Sequence, residues 1–173
     1  MQVPDTLPSM TLRPARHMTS IFLVRDDQVL LLYRIGSTAI NDSWVGIGGH
    51  LEPDEIGDPT AAALRELHEE VGLTEEQICE LSLRYVSLRD SGQELRFTYY
   101  FTAELRAGTV APTECTEGEL RWFPIAPSST ALDMPPTASV ALQHWICEGR
   151  HDDRLRSIVI TADGPRVVAL SAS

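Results

Sequence analysis

Positive charge is scarce in this chain. Its 173 residues carry 14 lysines and arginines against 25 aspartates and glutamates, for a formal net charge of −11. That balance disfavours non-specific binding to nucleic-acid polymers, which draws its affinity from basic side chains on phosphates. It leaves room for a small polyanion, because a bound cation reverses the local field. Cysteine is scarce too. Cys79, Cys115 and Cys147 are scattered, odd in number and without a Cys-x-x-Cys pair. A disulfide framework and a thiolate zinc site are both excluded, and a reduced, intracellular setting is expected. The N-terminus has no long apolar run, so neither a signal peptide nor a membrane span is expected, and the expected location is cytoplasmic. No internal repeat or low-complexity segment marks a second domain. A chain of this length can bury a sizeable core as one domain, expected over 15–173 after a polar arm, 1–14.

What the chain does have is an unusual stretch from Gly48 to Leu73. Its second half reads as a short helix with defined ends: Asp58 to cap the free N–H groups, Pro59 at the first helical position and Gly72 at the C-terminal turn. At 100° per residue Leu64, Leu67 and Val71 form an apolar stripe, while Glu66, Glu69 and Glu70 cluster at i, i+3 and i+4 on another side. The three glutamates are expected to face away from that stripe. Like charges at this spacing destabilise a helix by roughly 0.2–0.5 kcal/mol per pair. Three crowded carboxylates beside a glycine turn therefore suggest a cation, and hard oxygen donors favour Mg²⁺, Mn²⁺ or Ca²⁺ over Zn²⁺. Gly48 and Gly49 let the backbone come close to metal and phosphate.

Gly49, five residues, Glu55, then Arg65-Glu66-Leu67-His68-Glu69-Glu70-Val71-Gly72-Leu73 resembles the signature box of the Nudix hydrolases. That family cleaves nucleoside diphosphates linked to another group, X, with a divalent metal. The resemblance covers about 25 of the 173 residues. The usual box has seven residues between its isolated glutamate and the Arg-Glu pair; here there are nine, 56–64. The extra two are expected to lengthen the loop before Asp58 and to leave the helix intact. The resemblance implies an α/β fold, an α/β/α sandwich with a mixed β-sheet. It also implies Mg²⁺ (or Mn²⁺) held by Glu66, Glu69 and Glu70 with a backbone carbonyl from Gly48. Arg65 is then expected to orient a carboxylate by pairing with Glu55 or Glu66. A further acidic ligand or general base is implied in the second half, with Glu117 and Glu119 both candidates.

The remaining segments fit that architecture. Residues 20–24 and 29–34 are near-continuously apolar and predict a hairpin buried on both faces. Residues 81–89 and 94–105 predict a second strand pair, 119–124 a strand, 137–148 a helix, and 156–161 with 166–170 a terminal hairpin. His50, after the glycines, is a candidate contact to phosphate or water, or a hydrogen-bonded turn residue. His17, His68, His144 and His151 have no partner pattern and read as structural. Trp44, Tyr33 and the stretch Asp133-Met134-Pro135 form a candidate base pocket, with rings for stacking and Asp133 for hydrogen bonds; the competing reading of both rings is core packing, and Gly49, with His50, is a substrate contact on the phosphate side. The approach Trp-Val-Gly-Ile-Gly-Gly is similar to that of members clearing oxidised purine nucleoside triphosphates. No proline stands in 86–89, where ADP-ribose members tend to carry one. The expected reaction is hydrolysis of a purine nucleoside triphosphate to monophosphate and pyrophosphate. Cleavage of a non-nucleotide or sugar-nucleotide diphosphate, or nucleotide binding without cleavage, are the alternatives.

Overall fold

The computed structural model describes residues 13–35, 42–126 and 132–170. Residues 1–12 of the expected N-terminal arm, 36–41 and 127–131 lie outside the described residues. The strands are β1 (Ala15–Arg25), β2 (Gln28–Arg34), β3 (Ser43–Val45), β4 (Ile78–Asp90), β5 (Leu95–Leu105), β6 (Gly118–Pro124), β7 (Arg156–Thr161) and β8 (Gly164–Ala169). The helices are α1 (Pro59–Val71) and α2 (Pro136–Cys147). The strands form one sheet in the order β3-β2-β1-β5-β4-β7-β8, with β6 also paired to β2. β1 runs parallel to β5, and β4 runs parallel to β7. Every other pairing is antiparallel. The sheet is therefore mixed, as expected.

Each predicted strand is present. β1 starts five residues before the apolar run because its polar first half, from Ala15 to Thr19, is held in register by β5. Alternation along β1 serves two cores. Phe22 and Val24 pack under α2 with Tyr85, Tyr100, Leu142 and Ile158. Ile21 and Leu23 pack under α1 with Leu30, Ile47, Leu67 and Phe101. A strand buried on both faces has no polar side to show, which explains its near-continuous apolarity.

α1 has the ends its sequence predicts. The Asp58 carboxylate accepts the Ala61 N–H at 3.1 Å, and Gly72 closes the helix in a left-handed conformation with its N–H on the His68 carbonyl. Such a cap stabilises by about 1 kcal/mol. Ala62, Ala63 and Leu67 are fully buried, with Leu64 and Val71 partly so. α1 thus lies across one face of the sheet while Glu66 and Glu69 stay outside the core. No helix among the described residues is long and apolar enough to cross a membrane.

Candidate active site

The glycine turn is laced to β1 along its length. The Ile21 and Ile47 backbones exchange N–H···O bonds of 2.6 and 3.0 Å, and the Thr19 N–H reaches the Gly49 carbonyl at 2.8 Å. Gly48 has φ +148, and a Cβ there would lie 2.8 Å from the Thr19 carbonyl carbon. At Gly49 an added Cβ would come within 2.7 Å of the Glu66 carboxylate. Both positions need glycine, one for the backbone and one for the carboxylate lying against it.

Arg65 organises the box from α1. Its Nε and Nη2 donate to the two Glu55 oxygens, each at 2.8 Å. Its Nη1 donates to Glu66 at 3.0 Å and Glu69 at 2.8 Å, and Nη2 also reaches the His50 carbonyl at 3.0 Å. A guanidinium has five N–H donors, and five acceptors surround this one. The arginine holds Glu55 down at about 2, chiefly through that paired hydrogen bond. Where pairing with either Glu55 or Glu66 was expected, Arg65 takes both and adds Glu69. α1 runs unbroken behind the nine-residue spacer, and Glu55 still reaches its partner.

Glu70 differs from expectation. It is 5 % exposed and turns inward beneath the glycine turn. One oxygen accepts the Gly48 N–H at 2.9 Å and the other the Arg34 guanidinium at 3.2 Å. The reason is angular: three residues beyond Leu67 is only about 60° from it around the helix, so Glu70 borders the apolar stripe. Glu69, on the far side, is the exposed member. Burial pushes the Glu70 carboxyl up to about 7 despite the Gly48 N–H, and burial likewise raises Glu66.

Arg34 completes the group. It donates to the Gly48 carbonyl at 3.3 Å and pairs with both Glu70 and Glu117. Glu117 is thereby drawn to the box carboxylates. Glu119, two residues on, pairs instead with Arg121 at 2.7 Å on the exposed part of β6. Arg34 is the member that sequence reasoning missed. Its only signal was a cation ending an apolar strand.

The residues present fit a divalent cation. Glu66, Glu69, Glu70 and the Gly48 carbonyl supply hard oxygens only, and two of the carboxyls are disfavoured as anions by burial alone. Glu66 and Glu69 each give one oxygen to Arg65, leaving the other for a further partner. Among the described residues no three acidic, histidine or cysteine side chains already converge on one point. Arg65 bonds Glu66 and Glu69, and Arg34 bonds Glu70.

The other candidates lie around this group. The exposed His50 ring is 3.0 Å from an Arg16 guanidinium nitrogen; burial first, then Arg16, Arg34 and Arg96, lower its pKa. Trp44 donates its backbone N–H to the Asp133 carbonyl at 2.8 Å, so these two residues of the expected base pocket are neighbours. The Trp44 ring is tilted against Tyr33, edge-on to Phe123 and covered by Arg121. Asp133 is exposed. His17 stacks on Phe97, and His144 accepts or donates to the Tyr85 hydroxyl at 2.9 Å. His68 and His151 are exposed, away from these partners. A cavity of about 530 Å³ lies at the opposite end of the sheet around Arg84 and Trp145, away from the box.

The NUDIX domain family model matches residues 15–143. Among solved structures, the MutT protein from Bacillus halodurans superposes with a TM-score of 0.60 at 24 % identity, over 90 % of this chain and 95 % of that one. The MutT protein from Methanosarcina mazei Go1 gives 0.62 at 15 % identity, over 81 % and 98 %. An Ap4A hydrolase from C. elegans gives 0.61 at 17 % identity, over 75 % and 94 %. These likenesses are of fold. No curated protein matches the chain.

Proposed function

The chain belongs to the NUDIX domain family, hydrolases of nucleoside diphosphate-linked compounds, and from that premise we propose that it cleaves a purine nucleoside triphosphate, including oxidised ones, to monophosphate and pyrophosphate in the cytoplasm with Mg²⁺ or Mn²⁺. The observation that carries the reading is that Arg65 holds Glu66 and Glu69 while Arg34 and the Gly48 N–H hold Glu70. A non-cleaving nucleotide-binding module would have no use for a complete set of box glutamates.

A diphosphate resists water because its oxygens repel a nucleophile and its leaving group is charged. When bound, the metal neutralises that charge and makes a coordinated water more acidic. In this reading Glu66, Glu69, Glu70 and the Gly48 carbonyl hold it. Arg65 fixes Glu66 and Glu69 in position, with Glu55 as its counter-charge. Glu117, tied to Arg34 beside Glu70, is assigned the role of extra ligand or general base; Glu119 is not beside them. Water adds to a phosphorus, its proton passes to the base, and the P–O bond of the α–β bridge breaks. Gly49 gives close backbone approach to the phosphates, and His50 contacts them from the turn. Asp133, beside Trp44, accepts hydrogen bonds from the purine edge.

The test is a panel of nucleoside triphosphates, sugar nucleotides and ADP-ribose with Mg²⁺ or Mn²⁺, products resolved by chromatography. Purine triphosphates should give monophosphate and pyrophosphate, and chelator should abolish turnover. Asp133→Ala should raise KM or flatten base preference without altering metal affinity. Full activity in metal-free buffer, or better turnover of ADP-ribose, would remove the proposal.

A further inference from the structure

His50 stands on a backbone tied down from two sides. The Thr19 N–H bonds the Gly49 carbonyl at 2.8 Å and the Leu51 N–H bonds the His17 carbonyl at 3.0 Å, so Met18 and His50 form an antiparallel bridge between β1 and the glycine turn. From α1, Arg65 Nη2 donates to the His50 carbonyl at 3.0 Å. Two residues back, the Gly48 carbonyl accepts from Arg34. The imidazole therefore grows from a fixed point between the two guanidiniums that hold the box carboxylates, and only χ1 and χ2 are left to set.

Arg16 sets them. Parallel pairing of β1 with β5 places Arg16 beside Arg96, just past Glu94, and Glu94 accepts from Arg16 Nε at 3.2 Å, which fixes the guanidinium. Arg16 Nη1 then lies 3.0 Å from His50 Nε2. A guanidinium has donors only and keeps its proton, so Nε2 is the acceptor in this pair and carries no hydrogen. In the neutral ring the proton is therefore on Nδ1. Imidazole side chains in water favour the other tautomer, so the arginine reverses the solution preference. Nδ1 has no hydrogen-bond partner among the described residues, and His50 is exposed. Nδ1 is also the ring nitrogen nearer the backbone, on the side of the turn that Gly48 and Gly49 open to phosphate.

We propose that Arg16 is a positioning residue for the hydrolysis: through Nε2 it locks His50 in the Nδ1–H tautomer, and that N–H donates to a non-bridging oxygen of the substrate phosphate at the glycine turn. This role rests on the hydrolase reading above and deepens it, because the His50 contact then depends on a β1 residue that itself touches no substrate. Glu94, Arg16 and His50 form a relay in which each side chain orients the next, the same logic by which a third group orients a catalytic base.

Two measurements test it. Nitrogen-15 spectra of the metal-free protein should show the His50 proton on Nδ1. Arg16→Met, which keeps the aliphatic stem without a donor, should move it to Nε2, and Arg16→Lys should bring it back. GTP titrated into that protein should shift the Nδ1 resonance saturably, with about 10-fold more GTP needed in Arg16→Met, the worth of about one hydrogen bond. In steady-state hydrolysis with Mg²⁺, Arg16→Met should raise KM for GTP by about 10-fold while kcat and the Mg²⁺ requirement hold. His50→Asn, whose amide N–H stands where Nδ1–H does, should raise KM less than His50→Gln, whose amide reaches the Nε2 position. A merely structural link would instead loosen the Arg65 and Gly48 anchors, so that kcat and Mg²⁺ affinity fall together. That result, or a proton on Nε2 in the unmodified protein, would overturn the assignment and leave the hydrolase standing. A saturable Nδ1 shift that depends on Arg16, without hydrolysis of any triphosphate, would sink the hydrolase reading and support the phosphate contact.

Discussion

Replacing Gly49 by alanine separates the carboxylate cradle from the fold. The new methyl would lie 2.6 Å from a Glu66 oxygen, so the carboxylate must recede by about 0.8 Å to regain the 3.4 Å of ordinary contact. It is the far end of a flexible side chain, and the Gly49 backbone needs no left-handed conformation. Stability should fall by no more than about 1 kcal/mol, a shift of roughly 2–4 °C in Tm for a chain of this size. A displacement near 1 Å in a catalytic group can lower rate by about 10²-fold. Gly48→Ala provides the contrast. There the methyl meets the Thr19 backbone, and φ is +148, so strain and clash together should cost about 2–4 kcal/mol. The assay pairs thermal unfolding with steady-state hydrolysis under saturating Mg²⁺. An alanine at 49 that keeps full kcat, or that unfolds as readily as the one at 48, would refute the idea that Gly49 is kept for Glu66.

Other changes divide the same helix. Glu69→Gln should lower kcat by about 10²-fold or more with Tm retained, since this side chain is 56 % exposed. Glu70→Ala should lose both, because it strands the buried Gly48 N–H at about 1–3 kcal/mol; equal Tm for the two variants would contradict the inward placement of Glu70. Leu67→Ala, at a fully buried position, should destabilise by about 2–5 kcal/mol in denaturant melts. At the other end of the molecule Arg156 holds the Asp152 carboxyl well below the usual carboxylate range. A depressed folded pKa gives stability that is present above the unfolded value and lost as pH falls through the folded one. Asp152→Asn should therefore flatten the decline of Tm below about pH 4, and an unchanged acid limb would show that the pair is stability-neutral.

The helix of the box was legible because its signals are local: Asp58, Pro59 and Gly72 mark the ends, and the apolar stripe marks the buried side. Strand positions were legible for the same reason, with turns such as Asp26-Asp27 interrupting apolar runs. The inward turn of Glu70 was harder. Charge alone grouped it with Glu66 and Glu69, whereas its angular distance from Leu67 placed it at the edge of the core. Arg34 and the Arg16–His50 pair were not legible at all. Their meaning depends on β2 ending beside Gly48 and on the glycine turn bridging to β1, both long-range pairings. The same holds for Glu117 against Glu119: Glu117 stands just before β6, whose Gly118 pairs with Arg34, whereas Glu119 lies within the strand and pairs with Arg121.

That long-range placement resolves how a chain of net charge −11 can receive a polyanion. Every one of its 14 cations is an arginine, and five of them sit at one end of the sheet: Arg13 and Arg16 at the start of β1, Arg34 at the end of β2, Arg89 and Arg96 across β4 and β5. Asp90 pairs there with Arg13, Glu94 with Arg16 and Arg96, and Glu70 and Glu117 with Arg34. Asp26, Glu80, Glu104, Asp152 and Asp153 lie at the other end, around the cavity beside Trp145. Arg84 and Arg150 stand among those acids, so each end carries both signs. Repulsion by the net charge is largely screened beyond a Debye length, about 8 Å in physiological salt, and within that distance the local arrangement governs. An approaching polyphosphate meets arginines first at the β1–β5 end. The box carboxylates next to it carry their own counter-charges in Arg65 and Arg34, and a divalent ion would add to these. Acidity elsewhere disfavours non-specific binding to nucleic-acid polymers on physical grounds without closing the site to a small phosphate ester.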